Sequence, residues 1–180
     1  MNMRKIPVIL DADTGIDDTM ALLICATSSK LDVLAAVSTF GNTTIDYATQ
    51  NTMDVLALCG RQDIAVGMGA DRPWKKKLRT SPYIHGVNGI GEYQMPEHHR
   101  EALSPLPAWD LAYEKIMAYP EKVTYVALGS LTNVANLFCK HPDVKPRLDK
   151  VVYMGCELRG NVAGSQCASV NIFHDPDAAK

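Results

Sequence analysis

The chain has 180 residues, of which 47% are hydrophobic, 21% are charged and only 7% are aromatic. The 18 lysines and arginines nearly balance the 20 aspartates and glutamates, which leaves a formal net charge of −2. This composition excludes an intrinsically disordered chain, and the lack of excess positive charge argues against a nucleic-acid partner. No apolar run approaches the roughly 20 residues of a transmembrane helix, so we expect no membrane partner. The length predicts a single domain over residues 1–180.

Two features favour a cytoplasmic protein. The apolar stretch at residues 6–10 is interrupted at once by Asp11, which is unlike a signal peptide. The five cysteines are widely spaced and include no C-x-x-C pair, a pattern typical of reduced thiols rather than of a disulfide framework.

Short β-branched runs alternate with longer helical patterns along the chain. The predicted strands cover residues 7–10, 33–39, 64–66, 123–128 and 151–154. The predicted helices cover residues 17–29, 47–59, 108–118 and 131–139. This alternation predicts an α/β fold with an open, mostly parallel sheet and helices on both faces.

Two segments depart from this regular pattern. Residues 67–107 show no periodicity, and a connection of about forty residues is far longer than usual, which favours a functional loop. Within it, the lysines at 75–77 are interpreted as a solvated surface. Residues 175–179 look like a helix start with Asp175 as its N-cap. Because the sequence stops at Lys180, we expect the domain to be incomplete at this end.

Four carboxylates follow the first predicted strand, namely Asp11, Asp13, Asp17 and Asp18. Carboxyl ends of parallel strands are where ligands bind, and carboxylates this close repel one another unless a cation lies among them. Oxygen ligands alone select a hard cation such as Ca²⁺ or Mg²⁺. N-capping of the following helix is the alternative for Asp17 and Asp18, but it leaves Asp11 and Asp13 without a role.

A D-x-D after a first strand also occurs in phosphatases of the haloacid-dehalogenase type. There the first aspartate attacks the phosphoryl group and the second is the acid–base. That pattern usually has Thr or Val where this chain has Gly15, and it gives Asp17 and Asp18 no role.

A series of motifs matches another family much more closely. The motifs are D-A-D-T-G-I-D-D-T-M-A-L at 11–22, F-G-N at 40–42, H-G-V-N-G at 85–89, L-G-S-L-T-N at 128–133, M-G at 154–155, G-N at 160–161, Asn171 and D-P-D-A-A at 175–179. In this order they resemble the inosine-uridine-preferring nucleoside hydrolase family over essentially the whole chain.

The resemblance implies Ca²⁺-assisted hydrolysis of the N-glycosidic bond of a ribonucleoside. The residues that it assigns to the metal are Asp13, Asp17, Asp18 and the backbone carbonyl of Leu128. It makes Asp13 the general base and places His85 near the base or the leaving group. The residues that it assigns to the sugar hydroxyls are Asn42, Asn161 and Asn171.

The chain also departs from the family pattern. Ser169 stands where the family usually has a glutamate that binds the ribose 5′ end, and the family's further metal-binding aspartate and leaving-group histidine would follow Lys180. The alternative function is therefore a truncated or degenerate relative that binds Ca²⁺ or ribose without turnover. Missing helices would leave apolar strand surface exposed, so a homo-oligomer is expected.

Overall fold

The computed structural model describes residues 4–155 and 169–180. Its strands are β1 (Ile6–Ala12), β2 (Leu31–Ser38), β3 (Val66–Met68), β4 (Val123–Ala127) and β5 (Leu148–Tyr153). Its helices are α1 (Ile16–Thr27), α2 (Ile45–Leu58), α3 (Pro82–His85), α4 (Ala108–Ala118), α5 (Thr132–Lys140) and α6 (Val170–His174), with a 3₁₀ helix at Pro142–Arg147.

The five strands form one sheet in the order β3-β2-β1-β4-β5, and every neighbouring pair is parallel. The central strand β1 is buried from its second residue onward, because β2 and β4 flank it and helices cover both faces. This explains its continuous apolar character, since a strand buried on both faces has no solvent side. The prediction of an open, parallel α/β sheet is confirmed.

Each face of the sheet has its own core. On one face, Leu22 and Ala26 of α1 and Met53 and Leu56 of α2 pack against β1 and β2. On the other face, the buried residues of α4, α5 and the 3₁₀ helix surround the fully buried Tyr125. Helices therefore cover both faces of the sheet. Its carboxyl edge faces the loops that follow the strands.

Three local predictions differ from the structure. The third strand is shifted to Val66–Met68, because the amide of Ile64 donates to the carbonyl of Arg61 and closes a turn there. The 3₁₀ helix and α6 were not predicted, since both are too short to show a helical period. Within the long irregular segment, the structure assigns one helix, α3, and residues 102–104 lie along β3.

The C-terminal residues pack onto the long loop. Lys75 pairs with Asp177, and the ammonium of Lys76 lies 3.5 Å from the ring centre of Phe173. The interpretation of this lysine run as a solvated surface agrees with the structure, in which Lys75 and Lys77 are exposed, although Lys75 and Lys76 also contact the C-terminal residues. The expected capping hydrogen bond at Asp175 is present, since its Oδ1 accepts the amide of Ala178 at 3.2 Å, but the residues that follow, 176–179, form a turn rather than the predicted helix.

None of the helices in the two described ranges is long and apolar enough to span a bilayer.

Candidate functional site

The loops that follow β1, β2 and β4 meet at the carboxyl edge of the sheet around a cleft of about 150 Å³. Six of the residues singled out in the sequence line it, namely Asp17, Asp18, Asn42, His85, Leu128 and Asn171. Apolar side chains of α1, α6 and the end of β5 complete the lining. The sequence motifs are thus brought together although they lie up to 154 positions apart between Asp17 and Asn171 (171 − 17).

Asp13 is packed tightly beside this cleft. Its side chain is only 1% exposed, and its Oδ2 accepts the backbone amide of Asn42 at 2.6 Å. The carboxylate fits only because Gly41 and Gly129 lack side chains: a Cβ on Gly41 would lie 1.9 Å from Oδ2, and one on Gly129 would lie 2.9 Å from Oδ1. Oδ1 is buried without a hydrogen-bond partner.

Asp18 lies in the first turn of α1, and one of its carboxylate oxygens accepts two hydrogen bonds. Its Oδ2 accepts the amide of Gly15 at 2.9 Å and the side-chain Nδ2 of Asn42 at 2.8 Å. The first contact is the capping role that was the alternative interpretation for this residue. Asp17 does not cap, and its side chain is 75% exposed, with Oδ1 3.8 Å from Nδ1 of His85.

The charge state of the two buried carboxyls follows from their surroundings. Burial, followed by the charge of Asp18, raises the pKa of Asp13 well above its ordinary value. Burial also raises the pKa of Asp18, with a further contribution from the charge of Asp17. A cation among these groups would remove both causes, because it replaces lost hydration and offsets the repulsion.

Asp11 lies behind the site and is fully buried. Its Oδ2 accepts the hydroxyl of Tyr125 at 2.8 Å, and its Oδ1 accepts Nδ2 of Asn133 at 3.0 Å. Its backbone carbonyl accepts the amide of Leu128 at 2.7 Å. Burial raises the pKa of Asp11 to about 7, although these two side-chain donors oppose the shift. Asp11 therefore ties β1 to β4 and α5 at the edge where the loops begin.

His85 is buried at the end of α3, beside the start of α1. Its Nδ1 accepts the backbone amide of Ile16 at 3.2 Å, which is a helix-terminal amide with no partner inside the helix. Nδ1 therefore carries no proton, and the imidazole hydrogen is on Nε2.

Asn171, on α6, reaches the end of β4. Its Nδ2 donates to the carbonyl of Leu128, the same carbonyl that the resemblance assigns to the metal. Next to it, Ser169 is the N-cap residue of α6, and its buried Oγ has no hydrogen-bond partner. The third predicted sugar-binding residue, Asn161, lies outside the described residues.

Asp13 and Asp18 share Asn42 as a donor, whereas Asp17 turns away toward solvent. Within residues 4–155 and 169–180, no three His, Cys, Asp or Glu side chains converge as a group that could hold a metal ion. The donor chemistry nonetheless suits a hard cation, because Oδ1 of Asp13 is a buried carboxylate oxygen that nothing in the described chain satisfies.

A second layer of polar residues was not singled out from the sequence. Tyr125 and Asn133 hold Asp11, while Thr43 and Asn51 of the α2 region hold the segment around His85. Asn133 lies inside the L-G-S-L-T-N motif, which was the available signal. Tyr125 and Asn51 occupy positions that look like ordinary core and helix residues, so their pattern carries no signal of this role.

Comparison with known proteins identifies the family. The family model for inosine-uridine preferring nucleoside hydrolases matches residues 8–180. The non-specific ribonucleoside hydrolase RihC of Escherichia coli O1:K1 is 35% identical over 176 residues, which are 97% of this chain and 57% of that protein. Uridine nucleosidase 1 of Arabidopsis thaliana is 34% identical over 175 residues, which are 96% of this chain and 51% of that protein.

Solved structures agree with this assignment. The purine-preferring ribonucleoside hydrolase from Gardnerella vaginalis superposes with a TM-score of 0.89 at 30% identity, covering 96% of this chain and 56% of that one. The chain thus spans little more than half the length of the relatives that it matches. The matched model covers nearly all of the chain, and the motifs at the cleft are those on which the resemblance rests. The chain belongs to the inosine-uridine-preferring nucleoside hydrolase family.

Proposed function

We propose that this chain contributes the ribose-binding and metal-binding part of a site that hydrolyses the N-glycosidic bond of ribonucleosides. The observation that carries the proposal is the cleft itself, where Asp18, Asn42, His85 and Asn171 meet at the carboxyl edge of the sheet. Family membership supports this reaction over phosphoryl transfer. The haloacid-dehalogenase alternative also gave no role to Asp18, which here is a buried partner of Asn42.

We further propose Ca²⁺ as the cation of this site. Asp13, Asp18 and the carbonyl of Leu128 would hold it, together with Asp17 if its exposed side chain turns inward. The fit rests on the buried, unpartnered Oδ1 of Asp13 and on the raised pKa of both buried carboxyls. When bound, such an ion orients sugar hydroxyls and lowers the pKa of a coordinated water.

The two asparagines would bind sugar hydroxyls through their amide oxygens. Nδ2 of Asn42 is committed to Asp18, and Nδ2 of Asn171 is committed to the carbonyl of Leu128. In the described ranges, neither Oδ1 has a hydrogen-bond donor, so both can accept from ribose. These committed amides are preorganised, which lowers the entropic cost of binding a sugar.

Asp13 would act as the general base through its carboxylate. A general base must lie within hydrogen-bond reach of the proton that it takes, and Oδ1 of Asp13 is buried with no hydrogen-bond partner in the described chain. Asn42 holds the other oxygen through its amide, so the free oxygen keeps its direction.

The second candidate is binding of ribose or Ca²⁺ without turnover. One observation favours it: among the described residues of the cleft, His85 is the one candidate to protonate a departing base, and its Nδ1 is held by Ile16. A general acid contributes roughly 10²–10⁴-fold to a rate. A site without a working general acid would therefore lose turnover but keep binding.

The test measures reducing sugar released from inosine and from uridine with Ca²⁺ or with a chelator. We expect Asp13→Asn to lower release by at least roughly 10²-fold, because the general base is lost. Asp46→Asn, in the exposed first turn of α2, is the matched control and should leave release unchanged. Binding of Ca²⁺ or ribose by calorimetry with no release would support the second candidate, and neither binding nor release would overturn both.

A further inference from the structure

Asn51 connects the loop that precedes α1 to the loop that contains His85. Asn51 lies on α2 and is only 4% exposed. Both hydrogens of its side-chain amide form hydrogen bonds. Nδ2 donates to the carbonyl of Thr14 at 3.2 Å and to the carbonyl of Asn88 at 2.8 Å. Thr14 follows Asp13 in the segment between β1 and α1, here called the acidic loop (residues 13–15), and Asn88 follows α3 in what we call the His loop (residues 81–92).

The His loop is seated directly on the start of α2. Gly89 has a φ of +85°, and a Cβ there would lie 2.7 Å from Cγ2 of Thr43 and 3.2 Å from Nδ2 of Asn51. The hydroxyl of Thr43 donates to the carbonyl of Val87 at 2.7 Å. Asn51 and Thr43 therefore bind adjacent carbonyls of the His loop, those of Asn88 and Val87.

Hydrogen bonds inside the His loop connect His85 to the part of the loop that Asn51 and Thr43 hold. The amide of Gly91 donates to the carbonyl of His85 at 2.7 Å. Oδ1 of Asn88 accepts the amides of Ile90 and Glu92 at 3.0 Å each. A loop closed on itself in this way moves as a unit, so a shift of the Asn88 carbonyl also displaces His85.

At the other end of this unit, His85 accepts the amide of Ile16 through Nδ1. This contact leaves Nε2 as the protonated nitrogen. His85 lines the cleft, and in the described part of the chain no group accepts a hydrogen bond from Nε2. The ring therefore offers one N–H donor to a ligand in the cleft.

We propose that Asn51 is a positioning residue that holds His85 against the start of α1, so that His85 presents its Nε2–H as a hydrogen-bond donor to a ligand acceptor in the cleft. The inference deepens the proposed function and rests on it for the identity of the ligand. Its test needs neither substrate nor turnover, so failure of hydrolysis leaves it unaffected.

The test is amide hydrogen exchange of the whole chain, followed residue by residue by NMR. The reporter is Ile16, whose amide has His85 as its acceptor, and the internal reference is Leu128, whose amide donates to the carbonyl of Asp11 and touches neither loop that Asn51 holds. In Asn51→Ala we expect exchange at Ile16 to speed up about tenfold, because the His loop opens locally, while Leu128 changes by less than about twofold.

Two further variants keep the test decisive. Thr43→Val removes the neighbouring contact without changing side-chain shape and should speed exchange at Ile16 by about threefold, even if Asn51→Ala folds poorly. Asn136→Ala on α5, which removes the acceptor of the Trp74 indole N–H, is the matched control and should leave Ile16 unchanged. Equal acceleration of exchange at Leu128 and Ile16 would overturn the proposal, since the variants would then destabilise the whole fold rather than the His loop.

The tautomer is checked in the unchanged protein. Nitrogen chemical shifts of the imidazole, assigned by comparison with His85→Gln, should show a protonated Nε2 and an unprotonated Nδ1 at neutral pH. A protonated Nδ1 would overturn the proposal, because that nitrogen could not then accept the amide of Ile16.

Discussion

At the scale of single residues, the site is governed by where carboxylates and amides are buried. Asp13 and Asp18 lie close enough for each charge to matter to the other, and Asn42 donates to both, through its backbone amide and its side chain. Asp17 remains exposed although it precedes Asp18 in the sequence. Neighbouring positions at a helix start point in different directions, which separates their roles.

Addition of Ca²⁺ should raise the melting temperature, because an ion that binds the folded state alone stabilises it, by about 2.7 kcal/mol at 100 times the dissociation constant. We expect Asp18→Asn to remove most of this rise and the exposed Asp17→Asn to remove less. Differential scanning calorimetry with and without chelator measures both. Equal melting temperatures with and without millimolar Ca²⁺ would contradict the metal site.

A second residue-scale effect concerns His174, which is buried with its Nδ1 unpartnered. Burial, with a smaller contribution from the charge of Lys76, lowers its pKa from 6.5 to about 4. Between these values the unfolded chain binds more protons than the folded one, so stability falls as the pH drops from about 6.5 to about 4.

We expect His174→Phe to flatten this part of the stability profile, since it removes the titrating group. The lost contribution is at most about 3 kcal/mol, from 1.36 kcal/mol per pKa unit. Urea unfolding at several pH values measures it. His99→Gln is the control, and an unchanged slope in His174→Phe would show that other groups cause the acid sensitivity.

At the scale of elements, one buried carboxylate joins three separate parts of the chain. Oδ2 of Asp175 accepts the amide of Trp74 at 3.0 Å and the hydroxyl of Thr132 at 2.8 Å, while Oδ1 accepts the amide of Ala178. Thr132 is the first residue of α5, so the carboxylate also lies at the positive end of that helix. Asp175 thereby anchors α6, which carries Asn171, to the rest of the fold.

Asp175→Ala should lower the free energy of unfolding by about 2–4 kcal/mol, because it leaves three donors without an acceptor, among them the buried hydroxyl of Thr132. Asp175→Asn should cost less, since one oxygen remains. Chemical denaturation measures both, with Asp177→Asn as the control for a partly exposed acid of the same turn. A loss below about 0.5 kcal/mol in Asp175→Ala would mean that the anchor is not required for the fold.

At the scale of the whole molecule, several large apolar side chains remain exposed, among them one pair on α1 and one pair at the end of β5. Met20 and Ile24 of α1 are 57% and 63% exposed, and Val152 and Met154 at β5 are 46% and 47% exposed. Contiguous apolar surface drives association in water. The expected homo-oligomer remains a prediction, and these residues are where its contacts would form.

We expect light scattering to show concentration-dependent association that is reduced in the double variant Met20→Lys, Ile24→Lys. Tyr47→Lys, at another exposed apolar position, is the matched control and should not reduce it. A monodisperse monomer at high micromolar concentration would contradict this prediction.

The sequence by itself determined the fold class, because a strand buried on both faces must be apolar throughout, and β1 is apolar from Val8 to Leu10. It also determined which loops meet, since the carboxyl ends of parallel strands share one edge. The placement of Asp18 and Asn42 around one cleft follows from those two facts, whereas His85 reaches it from α3, in the long segment after β3. Short elements such as α6 escaped prediction because five residues contain little more than one helical turn.

Only the tertiary structure decided the states of the site residues. Burial, which depends on contacts distant in sequence, sets the raised pKa of Asp13 and the lowered pKa of His174. The partner of each amide, and the tautomer of His85, depend on which groups the folded loops bring within 3 Å or so of one another. Sequence motifs specify which side chains are present, whereas desolvation and hydrogen-bond direction are properties of the packed chain.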